Sequence, residues 1–312
     1  MNKLKRIICI LISLFIVITF TSCDKDGSDE SIIDTPSSSQ TSKDETDNDE
    51  IKVVSLNKEY FSHYEWYKDS SVMLVRSEYS DVTLDESETE KYPILAKTLL
   101  ETSTMRKRTM EEEKDNFIAF AIEQYENDNE SFSTFVSTLD VQVRRADSVV
   151  VSILEDYATE SSRAFSGYNY DTQSGKLLTL NDVVTDASKI PETVEKEIMT
   201  RIGAEEPFGN TAVIDYFNNT SQEDVSWTFD YNGLTFYFSA GAIAPTNFGV
   251  QIVTVTFAEH PDLFNQKYTV VPDEYVVSLP VSAPFYTDAF GDFLCKYSRC
   301  SFPAITKIVT DA

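Results

Sequence analysis

Side chains able to carry acid–base, metal or nucleophilic chemistry are scarce in one respect and over-abundant in another: 2 His and 4 Cys stand beside 52 Asp and Glu. His63 lies in an aromatic run (Tyr60-Phe61-Ser62-His63-Tyr64-Glu65-Trp66-Tyr67), and His260 follows a strand-like segment in Ala258-Glu259-His260-Pro261-Asp262. Imidazole titrates near neutrality, so either could serve as a general base; a surface or hydrogen-bonded structural role is the simpler reading of each. A carboxylate pair could hydrolyse a glycosidic bond, but 52 candidates single out no pair. No Gly-rich phosphate loop, G-x-S-x-G elbow, H-E-x-x-H helix or C-x-x-C pair occurs. No catalytic residue, metal ligand or cofactor is expected, and the chain reads as a binding protein rather than an enzyme.

The cysteines are more informative. Lys3, Lys5 and Arg6 precede the apolar stretch Ile7–Phe20, which ends in Thr21-Ser22-Cys23. A membrane-spanning helix needs about 20 apolar residues; a shorter run closing on small polar residues is what an export signal requires. Phe20-Thr21-Ser22-Cys23 is similar to a bacterial lipobox, with Phe20 where Leu is usual, so residues 1–22 are expected to be a lipoprotein signal peptide and Cys23 the lipidated residue. Acylation by more than one chain would anchor the protein stably, outside the cytoplasm, to a bacterial membrane. In that compartment Cys295 and Cys300 become candidates for a disulfide closing a small loop, and two thiols without histidines make a poor zinc site.

Residues 24–50 hold ten acids, two lysines and almost nothing apolar beyond Ile32 and Ile33, so residues 23–50 are expected to form a disordered, self-repelling acidic tether. Asp24–Glu30 has its glycine at the fourth position of a would-be calcium loop instead of the sixth and lacks a Glu in register, which argues against an EF-hand. The whole chain carries a net charge of −26, and loss of the signal would leave 23 basic against 52 acidic residues, a net of −29. Residues 51–312 account for 21 basic and 42 acidic of these, a net of −21. Such a surface repels phosphate backbones and excludes nucleic acid as a partner. The apolar share of 41% still suffices for a buried core.

The elements that must position any site begin near residue 55. Ser71–Leu84 reads as a strand. Pro93 opens a helical stretch, and a basic joint at Met105–Arg108 separates it from a second helix at Met110–Asn127 with an apolar stripe of Phe117, Phe120, Ala121 and Tyr125. Thereafter strands dominate: Leu139–Arg145, Ser148–Leu154, two strands around the turn in Tyr168–Leu180, Val250–Phe257 and Tyr275–Val281, with helices from Pro191 to about Ile202 and at Ala212–Phe217. Asn181 or Asp182 could cap a short helix. Asn232-Gly233 between alternating runs predicts a hairpin pairing Tyr231 with Leu234, Phe229 with Phe236 and Trp227 with Phe238, with Asp230 and Thr235 on the opposite face. Strands and helices do not alternate strictly, so the fold class is α+β, a mainly antiparallel sheet packed against helices, in preference to a doubly wound fold. A helix-rich part at 51–139 and a strand-rich part at 140–312 are expected.

Two stretches carry a family resemblance: Asp171-Thr-Gln-Ser-Gly175-Lys176-Leu-Leu-Thr-Leu-Asn-Asp182, and Phe236-Tyr-Phe-Ser-Ala-Gly-Ala-Ile243-Ala244-Pro245-Thr-Asn-Phe-Gly249. They resemble signatures of the RsiV-type extracytoplasmic domain, over roughly residues 140–285. That domain is the outer portion of a lysozyme-sensing anti-sigma factor and also occurs beside polysaccharide deacetylases and alone in lipoproteins. The resemblance implies a binding module for lysozyme or another cationic envelope-active protein. The alternatives are a cell-wall glycan-modifying enzyme and a structural envelope lipoprotein. Ser161-Ser162-Arg163-Ala164-Phe165 stands where family members often carry Gly-Gly-Ala-His, so a role for that histidine is not expected here. Neither a cytoplasmic anti-sigma portion nor a deacetylase domain is expected. Glycine at 175 and 249 and proline at 245 read first as fold-defining turn residues.

Overall fold

The computed structural model describes residues 51–68, 70–202 and 212–272, all within a unit that begins at Asp49. Cys23, Cys295, Cys300, the signal and tether segments and the strand expected at Tyr275–Val281 lie outside the described residues.

Strands β1 (Leu56–Trp66) and β2 (Met73–Leu84) form a long antiparallel pair. After a short helix α1 (Glu86–Thr89) the chain enters α2 (Pro93–Asn127). Strands β3 (Phe135–Ala146), β4 (Val150–Thr159) and β5 (Arg163–Asp171) complete a sheet of order β1-β2-β3-β4-β5, antiparallel except where α2 carries the chain over to make β2 and β3 parallel. The boundary expected at 139/140 therefore falls inside β3, and residues 51–139 contribute two long strands to the sheet as well as the long helix.

Met105–Arg108 is not a joint: α2 is one helix of 35 residues. Between Pro93 and Asn127 there is neither Gly nor another Pro to break it. Arg106, part of that expected joint, is buried, bonded to Asp81 of β2 and donating through Nε to Glu155 Oε1 of β4 at 2.8 Å. Ser103 donates to the other oxygen of Asp81, and Tyr157 donates to Glu113 at 2.8 Å. The middle of the helix is thus held to the sheet by ionic contacts on either side of the buried Met110, and its ends by apolar ones: Leu95 and Leu99 in one cluster, Ala121 with Leu74 and Val75 in another.

The second layer is built from helices α3 (Leu180–Val183), α4 (Ile190–Ile202) and α5 (Ala212–Asn219), a three-stranded antiparallel sheet of β6 (Trp227–Asp230), β7 (Gly233–Phe238) and β8 (Gln251–Thr256), and α6 (Gln266–Thr269). The predicted hairpin exists in a different register. Trp227 pairs with Phe236 and Phe229 with Leu234, and Tyr231-Asn232 form the turn. Two contacts fix this. The Tyr231 hydroxyl reaches both the amide and the carbonyl of Ala146, at 3.1 Å each, which draws Tyr231 into the turn. Gly233 becomes the first residue of β7, where a Cβ would lie 2.1 Å from the Val255 carbonyl oxygen.

Nor is the polar face of the hairpin solvent-exposed. Phe229, Leu234, Phe236 and Phe238 pack on Ile190, Val194 and Ile198 of α4. Asp230 and Thr235, on the other face, are buried against the first sheet, where Arg144 of β3 meets Asp230 through two parallel hydrogen bonds of 3.1 and 2.8 Å. Tyr237 packs there on Leu154 and Phe165. The free edge of β6 is closed by side chains: Asn169 of β5 donates to Trp227 O at 3.0 Å, and the Phe229 amide donates to Ser152 Oγ and Asn169 Oδ1, both at 2.9 Å. This close approach requires Gly167, since a Cβ there would sit 1.8 Å from the Trp227 carbonyl oxygen.

Candidate functional site

The two motif stretches separate in the structure. Asp171, Gly175, Lys176 and Asp182 build a turn after β5. The Asp171 carboxylate accepts from Ser174 N and from Lys267 Nζ at 2.9 and 2.7 Å. Gly175 has φ +64°, and a Cβ there would crowd Ile94 Cγ2 and the Leu95 amide nitrogen at the start of α2, each at 3.0 Å. Asp182 accepts from Thr179 N and Oγ1, capping α3, and from Lys176 Nζ at 2.9 Å. These donors, the Thr179 amide first among them, hold its carboxyl down at about 2. Asp171, Lys176 and Asp182 are each engaged in these contacts, which join β5, α2, α3 and α6. The second strand expected in Tyr168–Leu180 is reduced to a single bridge, Tyr170 to Leu177.

The second stretch is different. After β7 the chain turns at Ser239–Ala242, with Gly241 at φ +88°, buries Ile243 and Ala244, and enters a short 3-10 turn at Thr246–Phe248 behind Pro245. Gly249 closes that turn at φ +68°; nothing crowds it, so its backbone angle alone demands glycine. Gly241, Ala242, Ile243, Ala244 and Pro245 form one wall of an open concavity of about 580 Å³, and Ala212, Asp215, Tyr216 and Asn219 of α5 form the other. The loop wall is built from small residues around Ile243, and the α5 wall from Ala212 beside the larger Asp215, Tyr216 and Asn219. Tyr216 is set edge-on against Phe238 at 5.1 Å, which fixes its ring as a rigid side of the cleft.

Asp215 is the acidic residue of this lining, and it lies close enough to Glu195 of α4 to act on it electrostatically. Glu195 on α4 has its carboxyl pushed up from the usual range by desolvation and by the neighbouring carboxylates of Asp215 and Glu192, and its Oε1 is buried with no hydrogen-bond partner.

The histidines lie elsewhere and apart. His260 Nε2 is 2.9 Å from Glu197 Oε1, a pair that ties the turn after β8 to α4. His63 on β1 lies 3.3 Å from Glu65 and lines a second concavity of about 420 Å³ with Phe61, Tyr79, Met110, Glu111 and Lys114. Among the described residues no group of three or more His, Cys, Asp or Glu is placed to hold a metal ion, and no helix is long and apolar enough to cross a membrane. Sequence reasoning did not join the loop to α5 because Ala212–Asn219 and Gly241–Pro245 are separated along the chain by β6 and β7. The alternating Gly and Ala of the loop was the only local signal.

Residues 180–258 match the family model described as "Protein of unknown function (DUF3298)". That span begins at α3 and ends just after β8, so the concavity lies wholly inside it. No curated protein matches the chain. Two solved structures are similar: a DUF3298 family member from Bacteroides fragilis NCTC 9343, at 11% identity and a TM-score of 0.46, and a DUF3298 family protein from Pseudomonas aeruginosa PAO1, at 12% identity and a TM-score of 0.45. Each alignment covers 69% of this chain and 96% of the other.

Proposed function

We propose that this chain is a lipid-anchored extracytoplasmic binding protein of a bacterial envelope, tethered through Cys23, which captures a cationic protein such as lysozyme at the concavity between α5 and the loop after β7. The observation that carries this reading is the coincidence of two features. The loop bearing Ile243, Ala244 and Pro245 forms one wall of an open cleft, and Asp215 of the facing helix lines it within electrostatic reach of Glu195 on α4. The net charge of −21 on residues 51–312 would steer a cationic partner toward the surface, and a desolvated carboxylate would reward a cation that docks.

The test is a titration of the purified full chain with lysozyme, alongside a second cationic protein of matched charge, across a range of salt. Selective binding of lysozyme that falls with salt, and that the Glu192→Gln, Asp215→Asn double variant weakens at least tenfold, is the expected outcome. Equal affinity for both cationic proteins, or no association at low ionic strength, would sink the reading.

A further inference from the structure

Strand β1 lies at the end of its sheet; among the described residues only β2 pairs with it, so its outer edge presents free backbone groups along 11 residues. Edge strands of that length usually carry charges or bulges that forbid pairing with another strand. The charges on β1 are arranged differently. Its midpoint is Phe61, and the sequence is complementary to itself about that residue. In an antiparallel pair centred there, Glu59 faces His63, Lys58 faces Tyr64, Tyr60 faces Ser62, Asn57 faces Glu65 and Leu56 faces Trp66, while Phe61 faces its own copy. No like charges oppose one another. Moving the axis by one residue, to Ser62, sets Glu59 against Glu65, so the pattern also selects the register.

The side chains on both faces suit such a pair. Tyr60, Tyr64 and Trp66 stand on one face, exposed by 59, 45 and 45%. Lys58 bonds Asp140 at 2.7 Å and sits over the Tyr60 ring, which places its charge beside the position a second Tyr64 would take. On the other face Phe61 stacks on Tyr79 at 4.6 Å, under Lys107, which also contacts Glu59 at 3.2 Å. Pairing about Phe61 would extend this stack into a row of four rings across the two copies. The sole irregularity of the strand, between Glu65 and Trp66, lies at its end and spares the central pairs.

We infer that β1 is a self-association strand through which two copies of this chain join their sheets edge to edge about a two-fold axis at Phe61. The symmetric contact is isologous and closes as a dimer. It uses none of the residues of the concavity between α5 and the loop after β7, so it stands or falls independently of the binding reading.

Native mass spectrometry and sedimentation of the full chain in detergent, at moderate salt to screen the acidic surfaces from one another, should give twice the protomer mass. Glu59→Lys, an exposed substitution whose fold circular dichroism can verify, should return the protein to a monomer, and adding His63→Glu should restore the dimer by setting a carboxylate opposite the new ammonium. In the same background Phe61→Cys should cross-link to its own copy on oxidation, because opposed residues have Cα atoms about 4.5–5.5 Å apart. Asn57→Cys should add no cross-link, because its two copies would lie about 27 Å apart along the strand. A monomer at every concentration, or a dimer indifferent to Glu59→Lys and cross-linked equally at both positions, would overturn the inference.

Discussion

Arg145 and Asp147, two residues apart at the end of β3, form an ion pair with no solvent exposure on either side chain: Arg145 Nε donates to Asp147 Oδ2 at 2.6 Å. The remaining guanidinium donors reach the carbonyls of Tyr268 and Val270 at 2.7 and 3.0 Å, and the other oxygen of Asp147 accepts from the amides of Val149 and Val150. One pair therefore fixes the β3–β4 turn and fastens the α6 segment to the first sheet.

Replacing Arg145 with Met would leave the Asp147 carboxylate buried without its cation, at a cost of about 3–5 kcal/mol. Arg145→Lys should recover only part of this, since an ammonium cannot reproduce the planar fork that serves Asp147, Tyr268 and Val270 together. Urea unfolding of the two variants checks the order; equal midpoints for wild type and Arg145→Met would refute it.

Gly167→Ala tests the junction of the two sheets. A methyl group there would overlap the Trp227 carbonyl, pushing β6 from β5 and breaking the hydrogen bond from Asn169. The expected loss is about 3 kcal/mol or more, the upper range for overpacking a core, and would register as a lowered thermal midpoint.

Tyr231→Phe removes only the hydroxyl that holds the hairpin turn against Ala146. A loss of about 1–2 kcal/mol is expected, with the hairpin register unchanged because Gly233 still admits β8. Chemical denaturation gives the stability, and cross-strand proximity of Trp227 and Phe236 by nuclear magnetic resonance gives the register.

Stability in acid should depend on Asp182. Its carboxyl is held at about 2 against an ordinary 3.8, so the folded state binds its proton less readily than the unfolded chain does. Its contribution is complete above pH 3.8 and is lost as the pH falls toward 2. Asp182→Asn should therefore narrow the stability difference between neutral and acid pH by about 1–2 kcal/mol, allowing for its partial exposure. Unfolding curves for both proteins between neutral pH and pH 2 decide the matter; parallel acid dependence would count against it.

The sequence alone determined the local, periodic features. The strand at Ser71–Leu84, the helices opening near Pro93 and Pro191, the helix at Ala212 and the hairpin at Trp227–Phe238 follow from side-chain periodicity and turn chemistry acting over a few residues. The positive-φ glycines at 175 and 249 were legible for the same reason. Tertiary structure decided everything that depends on a distant partner. Arg106 reads as a break until Asp81 and Glu155, 25 and 49 residues away, turn it into the helix's central anchor. Asp230 and Thr235 read only as the polar face of the hairpin until Arg144 pairs with Asp230, and the hairpin register is set by the close approach of Gly233 to Val255, with Tyr231 reaching Ala146 in support. The motif stretches look alike as Gly-containing turns, yet packing spends Asp171–Asp182 on the fold and leaves Gly241–Pro245 lining an open cleft beside α5. The physical reason is that periodicity reports whether a side chain is apolar, whereas the burial of a polar group and the packing of a loop are decided by which distant partner arrives against them.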